Sequence, residues 1–210
     1  YGVSHLSGFD PVLLILPSGL GINATIVLGG MATILAFALF VCTGMIYACL
    51  RFLQEWHSPL TVINFILLGS ASGFTLATFY AAALSSAQAG FFGGWAIIIT
   101  LLAFAGRGAS LWRNARLKPK STVQTAIGIK HPRIVQTAQG AMGGSFNTRE
   151  FFHGVAARRL RAVKHGFVLL AFVVPLVLLI AGRDGASVGL LVGAFAVQYV
   201  GLLAERWFFF

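Results

Sequence analysis

Apolar positions in this chain fall in long unbroken runs, separated by short polar clusters. A helix that crosses a bilayer needs about 20 mostly apolar residues. Five runs qualify: 24–50, 59–84, 89–105, 162–181 and 186–204, the third expected to continue as a helix toward Arg116. A sixth apolar stretch, "PVLLILPSGLGI" (11–22), is too short to span and is interrupted by Pro17. It reads as an interfacial loop or a shallow re-entrant piece.

The predicted fold is all-α: an integral membrane bundle of about five transmembrane helices with one long basic loop. A periplasmic or interfacial loop is expected over 1–23, three helices over 24–105, a cytoplasmic basic loop over 106–161, and two helices over 162–210.

Composition removes the soluble alternatives. Hydrophobic residues make up 58% of the chain and charged residues 10%, where a soluble domain carries about 25% charged. Charge then gives orientation. If the runs alternate in direction, 14 of the 15 Lys and Arg fall on one side and only Arg183 on the other. The positive-inside rule makes the rich side cytoplasmic. The basic loop is therefore expected inside the cell. The net charge of +10 thus follows from topology. A nucleic-acid partner is disfavoured, because few aromatic residues interleave the cations of the loop.

Within the second run, "GSASG" (69–73) is a GxxxG pattern that lets helices approach closely. A general small-residue patch inside one bundle accounts for it before a dimer contact does. "GFFGGW" (90–95) has the same small-residue character, and its Trp95 suits either an interfacial belt or interior packing. The stretch 117–154 repeats "VQTA" at 123–126 and 135–138, and its prolines and glycines argue against one long helix. It is too polar to bury a core, and its scattered apolar residues favour ordering against a partner.

The catalytic inventory is empty. Cys42 and Cys49, seven apart in one run, read as packing residues, and there is no set of cysteines for an iron–sulfur cluster or structural zinc. None of His5, His57, His131, His153 and His165 lies mid-span, so a haem between helices is not expected. Walker, GxSxG and HExxH patterns are missing. No carboxylate lies inside the five runs, which disfavours a solute transporter.

Chemistry instead gathers at the ends of runs. "RFLQEWHSPLT" (51–61) places Arg51, Glu55, Trp56 and His57 at the surface, with Tyr47 one turn inside. Arg149, Glu150 and His153 precede the fourth run, and "ERWFFF" closes the fifth. A quinone headgroup needs such a set: a proton donor or acceptor near neutral pH, hydrogen bonds to its carbonyls, and aromatic walls. Snorkelling and belt formation give the same gathering without a ligand.

Three blocks carry a family resemblance. "CTGMIYACLRFLQEWHSPLTVINF" (42–65), "NTREFFHG" (147–154) and "AERWFFF" (204–210) resemble signature blocks of the DmsC family, the membrane anchors of molybdopterin oxidoreductases such as dimethyl sulfoxide reductase. The loop over 117–154 is similar to the branch that serves cytoplasmic sulfite dehydrogenases. The resemblance covers nearly all of the chain from about residue 24. It implies a heterotrimer in which a molybdopterin catalytic subunit and an iron–sulfur subunit sit on one membrane face. The anchor would exchange electrons with the quinone pool, ubiquinone or menaquinone, and carry no haem of its own. Family anchors have eight spans, so about three N-terminal ones, with part of the quinone site, are expected to lie outside this sequence.

On that resemblance, Tyr47, Arg51, Glu55, Trp56 and His57 are the expected quinone neighbourhood. His57 would shuttle the proton and Arg51 orient a headgroup oxygen. Lys118, Lys120, Arg133, Arg149, Glu150 and His153 are expected to dock the iron–sulfur subunit. Sulfite oxidation coupled to quinone reduction is the leading expectation. Quinol oxidation of the dimethyl sulfoxide reductase type, and a purely structural anchor or assembly subunit, are the alternatives.

Overall fold

The structure is a computed structural model, and it describes residues 10–15, 17, 21–51, 53–84, 87–118, 123–129, 131, 134, 156–184 and 187–209. Five helices in it are long and apolar enough to cross a membrane, as the apolar runs require. The chain divides into two compact units, Tyr1–Ile66 and Leu67–Phe210.

The first unit opens with a two-stranded antiparallel hairpin, β1 (Val12–Ile15) and β2 (Gly21–Asn23), paired Val12 to Asn23, Leu14 to Ile22 and Ile15 to Gly21. The stretch read as a loop or re-entrant piece is therefore partly strand. Folding back on itself lets a short apolar segment satisfy its backbone groups without the length of a helix.

Helix α1 (Ala24–Ala48) follows at once. Asn23 precedes it without a side-chain cap, and Asp10 takes that role from a distance. Its Oδ1 accepts the Thr25 N–H at 3.0 Å and its Oδ2 accepts Asn23 Nδ2 at 3.1 Å. A carboxylate at a helix N-terminus meets both unpaired N–H groups and the positive end of the dipole. These hydrogen bonds, the Thr25 N–H first, hold the Asp10 carboxyl below the usual carboxylate range. Along α1 only Gly44 is buried. The hydroxyls of Thr33 and Thr43 donate to the carbonyls of Gly29 and Leu39, so neither meets lipid unpaired.

Helix α2 (Pro59–Ala83) starts with Ser58 as its cap, the Ser58 Oγ accepting the Leu60 N–H at 3.2 Å, and Pro59 in the first turn. Gly44 sits against α2 so closely that a Cβ there would lie 2.9 Å from the Val62 Cα.

The second unit holds the rest of α2, α3 (Ala89–Asn114), the short α4 (Val123–Ile127), and a fourth span in three parts. These are α5 (Ala157–Val168), a π-helical turn (Leu169–Val173) and α6 (Val174–Asp184). Helix α7 (Val188–Phe209) is the last. The spans thus run past the 105 and 204 limits of the apolar runs, and the fourth starts earlier than 162. One core cluster joins Leu68, Ala71, Ala103, Phe167, Ala171 and Phe172, and a second joins Ala82, Ala96, Leu179, Leu191 and Ala194.

The π turn has a local cause. Pro175 has no N–H to give the Ala171 carbonyl four residues earlier, and the Val174 N–H reaches back five residues to Leu169. Gly201 of α7 fits against this turn, where a Cβ would collide with the Ala171 backbone. Gly73 of the GxxxG pattern has open space around it. Close approach is made at Gly44 and Gly201, and the sequence motif does not mark either.

Candidate functional site

The turn between α1 and α2 is a folded unit in itself. His57 Nδ1 lies 2.6 Å from the Ala48 carbonyl oxygen, so an Nδ1–H donates to the last turn of α1. The Trp56 carbonyl accepts Thr61 Oγ1 at 2.7 Å. Tyr47 meets Trp56 edge to face, with centroids 5.2 Å apart, and stacks on Phe65 at 5.7 Å. Beside the turn lies a cleft of about 430 Å³, lined by Met45, Ala48, His57, Ser58, Pro59, Val62 and Ile63. The lining is apolar except at His57 and Ser58, as in most small-molecule sites.

Of the five residues expected around a quinone, only His57 lines this cleft. Tyr47 and Trp56 form the aromatic brace behind the turn, and Trp56 is buried. Arg51 and Glu55 are exposed, and among the described residues neither makes an ion pair. Of the six expected docking residues, Lys118 follows the end of α3. Lys120, Arg133, Arg149, Glu150 and His153 lie outside the described residues, as does the second VQTA.

A second site went unread in the sequence. Arg107 of α3 is 4% exposed and Glu205 of α7 is 1% exposed. Arg107 Nε lies 2.8 Å from Glu205 Oε1, and Arg206 Nε lies 2.9 Å from Oε2. The Arg107 guanidinium also stands over the rings of Phe167 and Phe209, at 5.7 and 5.8 Å. The carboxylate is thus held between two guanidinium groups. Its evident work is to join α3 and α7, with Phe167 of α5 as the third wall.

Farther along the same two helices, Gln198 Nε2 donates to Thr100 Oγ1 and to the Ala171 carbonyl, each at 3.4 Å. Ala171 is the residue whose carbonyl Pro175 leaves without its helical partner. Both polar pairs, Thr100–Gln198 and Arg107–Glu205, have the same separation of 98 residues. A constant offset means α3 and α7 run parallel, as alternating spans demand.

Glu205 corrects the expectation that the spans lack carboxylates. Thr75, Thr78, Thr100, Arg107, Gln198 and Glu205 are all buried within span helices. One signal was available: Ala96, Thr100, Ala103, Arg107 and Ser110 recur at steps of three and four, as do Leu191, Ala194, Gln198, Gly201 and Glu205. Such a stripe marks an interior helix face. Among the described residues, no cluster of His, Cys, Asp and Glu is suited to a metal ion.

Over all of its 210 residues the chain is 51% identical to the C subunit of the sulfite dehydrogenase of Allochromatium vinosum, and it spans 65% of that protein's length. No protein-family model matches the chain. No solved structure matches it. The resemblance drawn from the three blocks, in its sulfite dehydrogenase branch, is borne out by this identity, and five apolar helices fit a membrane anchor subunit.

Proposed function

We propose that this chain is part of the membrane anchor and quinone-reactive subunit of a sulfite dehydrogenase complex. The observation that carries the reading is 51% identity, along the entire chain, to a protein named as a sulfite dehydrogenase subunit. The partners are a molybdopterin catalytic subunit and an iron–sulfur subunit, received by the basic loop bearing Lys118, Lys120, Arg133, Arg149, Glu150 and His153. The side rich in Lys and Arg faces the cytoplasm of a bacterial inner membrane. Electrons from sulfite leave through the iron–sulfur subunit to quinone.

The cleft beside His57 fits a quinone headgroup. It is large enough, mostly apolar, and bordered by an imidazole and a hydroxyl. Quinone supplies a two-electron, two-proton acceptor. With Nδ1 committed to the Ala48 carbonyl, the proton exchange of His57 falls to Nε2. Tyr47 and Trp56 brace the turn so that the imidazole keeps its place, and Arg51 and Glu55 give the exposed edge its charge.

The test is His57→Gln in the assembled complex, with sulfite-dependent turnover read against quinone and against a soluble dye acceptor. Loss of quinone turnover with dye turnover kept supports the reading. Equal rates for variant and wild type sink it. A second reading, a structural anchor without a quinone site, draws on the same hydrogen bond, since His57 also closes the end of α1. Equal rates with an intact complex would favour it.

A further inference from the structure

Ser58 lines the cleft beside His57 and is 9% exposed. Its N–H donates to the Trp56 carbonyl at 2.8 Å, and its own carbonyl accepts the Thr61 N–H at 3.0 Å. As the cap of α2, its Oγ accepts the Leu60 N–H at 3.2 Å. The hydroxyl proton is left over, and among the described residues nothing accepts it. Thr61, one turn on, shows the usual outcome for such a group: its hydroxyl donates to the Trp56 carbonyl at 2.7 Å. A buried O–H that lacks an acceptor is costly. Ser58 therefore has a place for an acceptor that the chain itself does not supply.

His57 cannot meet the same need while its ring is neutral. Its Nδ1 carries the proton given to the Ala48 carbonyl at 2.6 Å, which leaves Nε2 a lone pair and makes it an acceptor. The two ring oxygens of a quinone are carbonyls, which accept and cannot donate. A neutral imidazole offers them no proton, whereas the Ser58 hydroxyl offers one in either state of the ring. We infer that Ser58 is a headgroup-binding residue of this cleft, its Oγ–H donating to a quinone carbonyl while the Oγ lone pair goes on capping α2. The proposal rests on the quinone reading of the cleft and adds the donor that holds the oxidised headgroup. One hydroxyl thus serves both the start of the helix and the ligand.

The assembled complex is assayed for sulfite-dependent reduction of a short-chain ubiquinone or menaquinone, whichever wild type reduces, and of a soluble dye. Ser58→Asn and Ser58→Asp form the informative pair, alike in size and both good caps. The asparagine keeps a donor, and an ionised aspartate has none. Ser58→Asp is expected to raise the KM for the quinone about tenfold, with dye turnover unchanged, and Ser58→Asn to stay near wild type. Equal KM values in the two variants mean that Ser58 only caps the helix, and overturn the proposal. Where Ser58→Asp does not assemble, Ser58→Gly replaces it, since glycine is tolerated at a cap and brings no donor. A wild-type KM in S58G likewise overturns the proposal. His57→Gln keeps the two claims apart. With quinone turnover lost in H57Q, equal S58N and S58D variants sink the role of Ser58 alone. With H57Q and both Ser58 variants at wild-type rates, the quinone site falls as a whole.

Discussion

Glu205 Oε1 and Oε2 are each held by a different arginine, Arg107 at 2.8 Å and Arg206 at 2.9 Å, with the carboxylate 1% exposed. Taking one member out of such a group leaves a buried charge without compensation, which costs about 3–5 kcal/mol. Glu205→Gln should destabilise the second unit by that order, and Arg107→Met by less, because Arg206 still faces the carboxylate. Joint replacement of Arg107 and Glu205 by Met should recover most of the loss. Chemical denaturation in detergent, followed by circular dichroism, reads all three.

Gln198 and Pro175 should be coupled. Gln198→Leu strips the Ala171 carbonyl of the donor that stands in for the missing proline N–H, at a cost of about 1–3 kcal/mol. Pro175→Ala returns that N–H, so the glutamine matters less in its presence. A double-mutant cycle should give a coupling energy on the order of 1 kcal/mol. Additive effects would mean that the 3.4 Å contact contributes nothing.

Two glycines should respond in opposite ways. Gly201→Ala forces a methyl group into the Ala171 backbone, and overpacking of this kind costs about 1–3 kcal/mol. Gly73→Ala enters open space and removes a flexible residue from a helix, a gain of about 0.5–1 kcal/mol. Thermal unfolding of the two variants side by side is sufficient.

Asp10 gives the start of α1 a pH dependence. Its folded pKa is lowered, chiefly by the Thr25 N–H, from an ordinary value of 3.8. The stabilisation is fully present above that value and is lost as pH falls through the lowered one. Amide exchange at Thr25 should therefore accelerate in acid. In Asp10→Asn the pH-linked part of that change disappears.

Much of this architecture was legible because lipid tolerates few alternatives. A spanning helix must be apolar for about 20 residues, and the five runs stand out by eye. The helix ends were harder. A hydropathy reading stops at the first charge, so Arg107 and Glu205 looked like surface residues. The stripes through Arg107 and Glu205 mark interior faces, but only a partner 98 positions away makes burial of the charges possible, and a local stripe does not name that partner. Gln198 is a visible polar interruption, yet its purpose depends on a proline 23 residues earlier that deprives Ala171 of its donor. The hairpin over 12–23 was missed because a short apolar run suits strand and interfacial loop equally. In the turn after α1, the sequence offered five polar and aromatic candidates. Backbone geometry sorts them: His57 borders the cleft, Tyr47 and Trp56 brace it, and Arg51 and Glu55 stay outside.

The Arg107–Glu205 pair also has a consequence for how the chain is made. Ribosomes add about 5–20 residues per second, so Arg107 emerges about 5–20 seconds before the carboxylate that neutralises it. Throughout that interval the third helix carries a cation without its mate, and it cannot pair until α7 arrives. A chain cut short before residue 205 would keep that exposed charge for good. The docking of α7 against α3 is thus recorded in the protein as an ion pair that a chain lacking residue 205 cannot form.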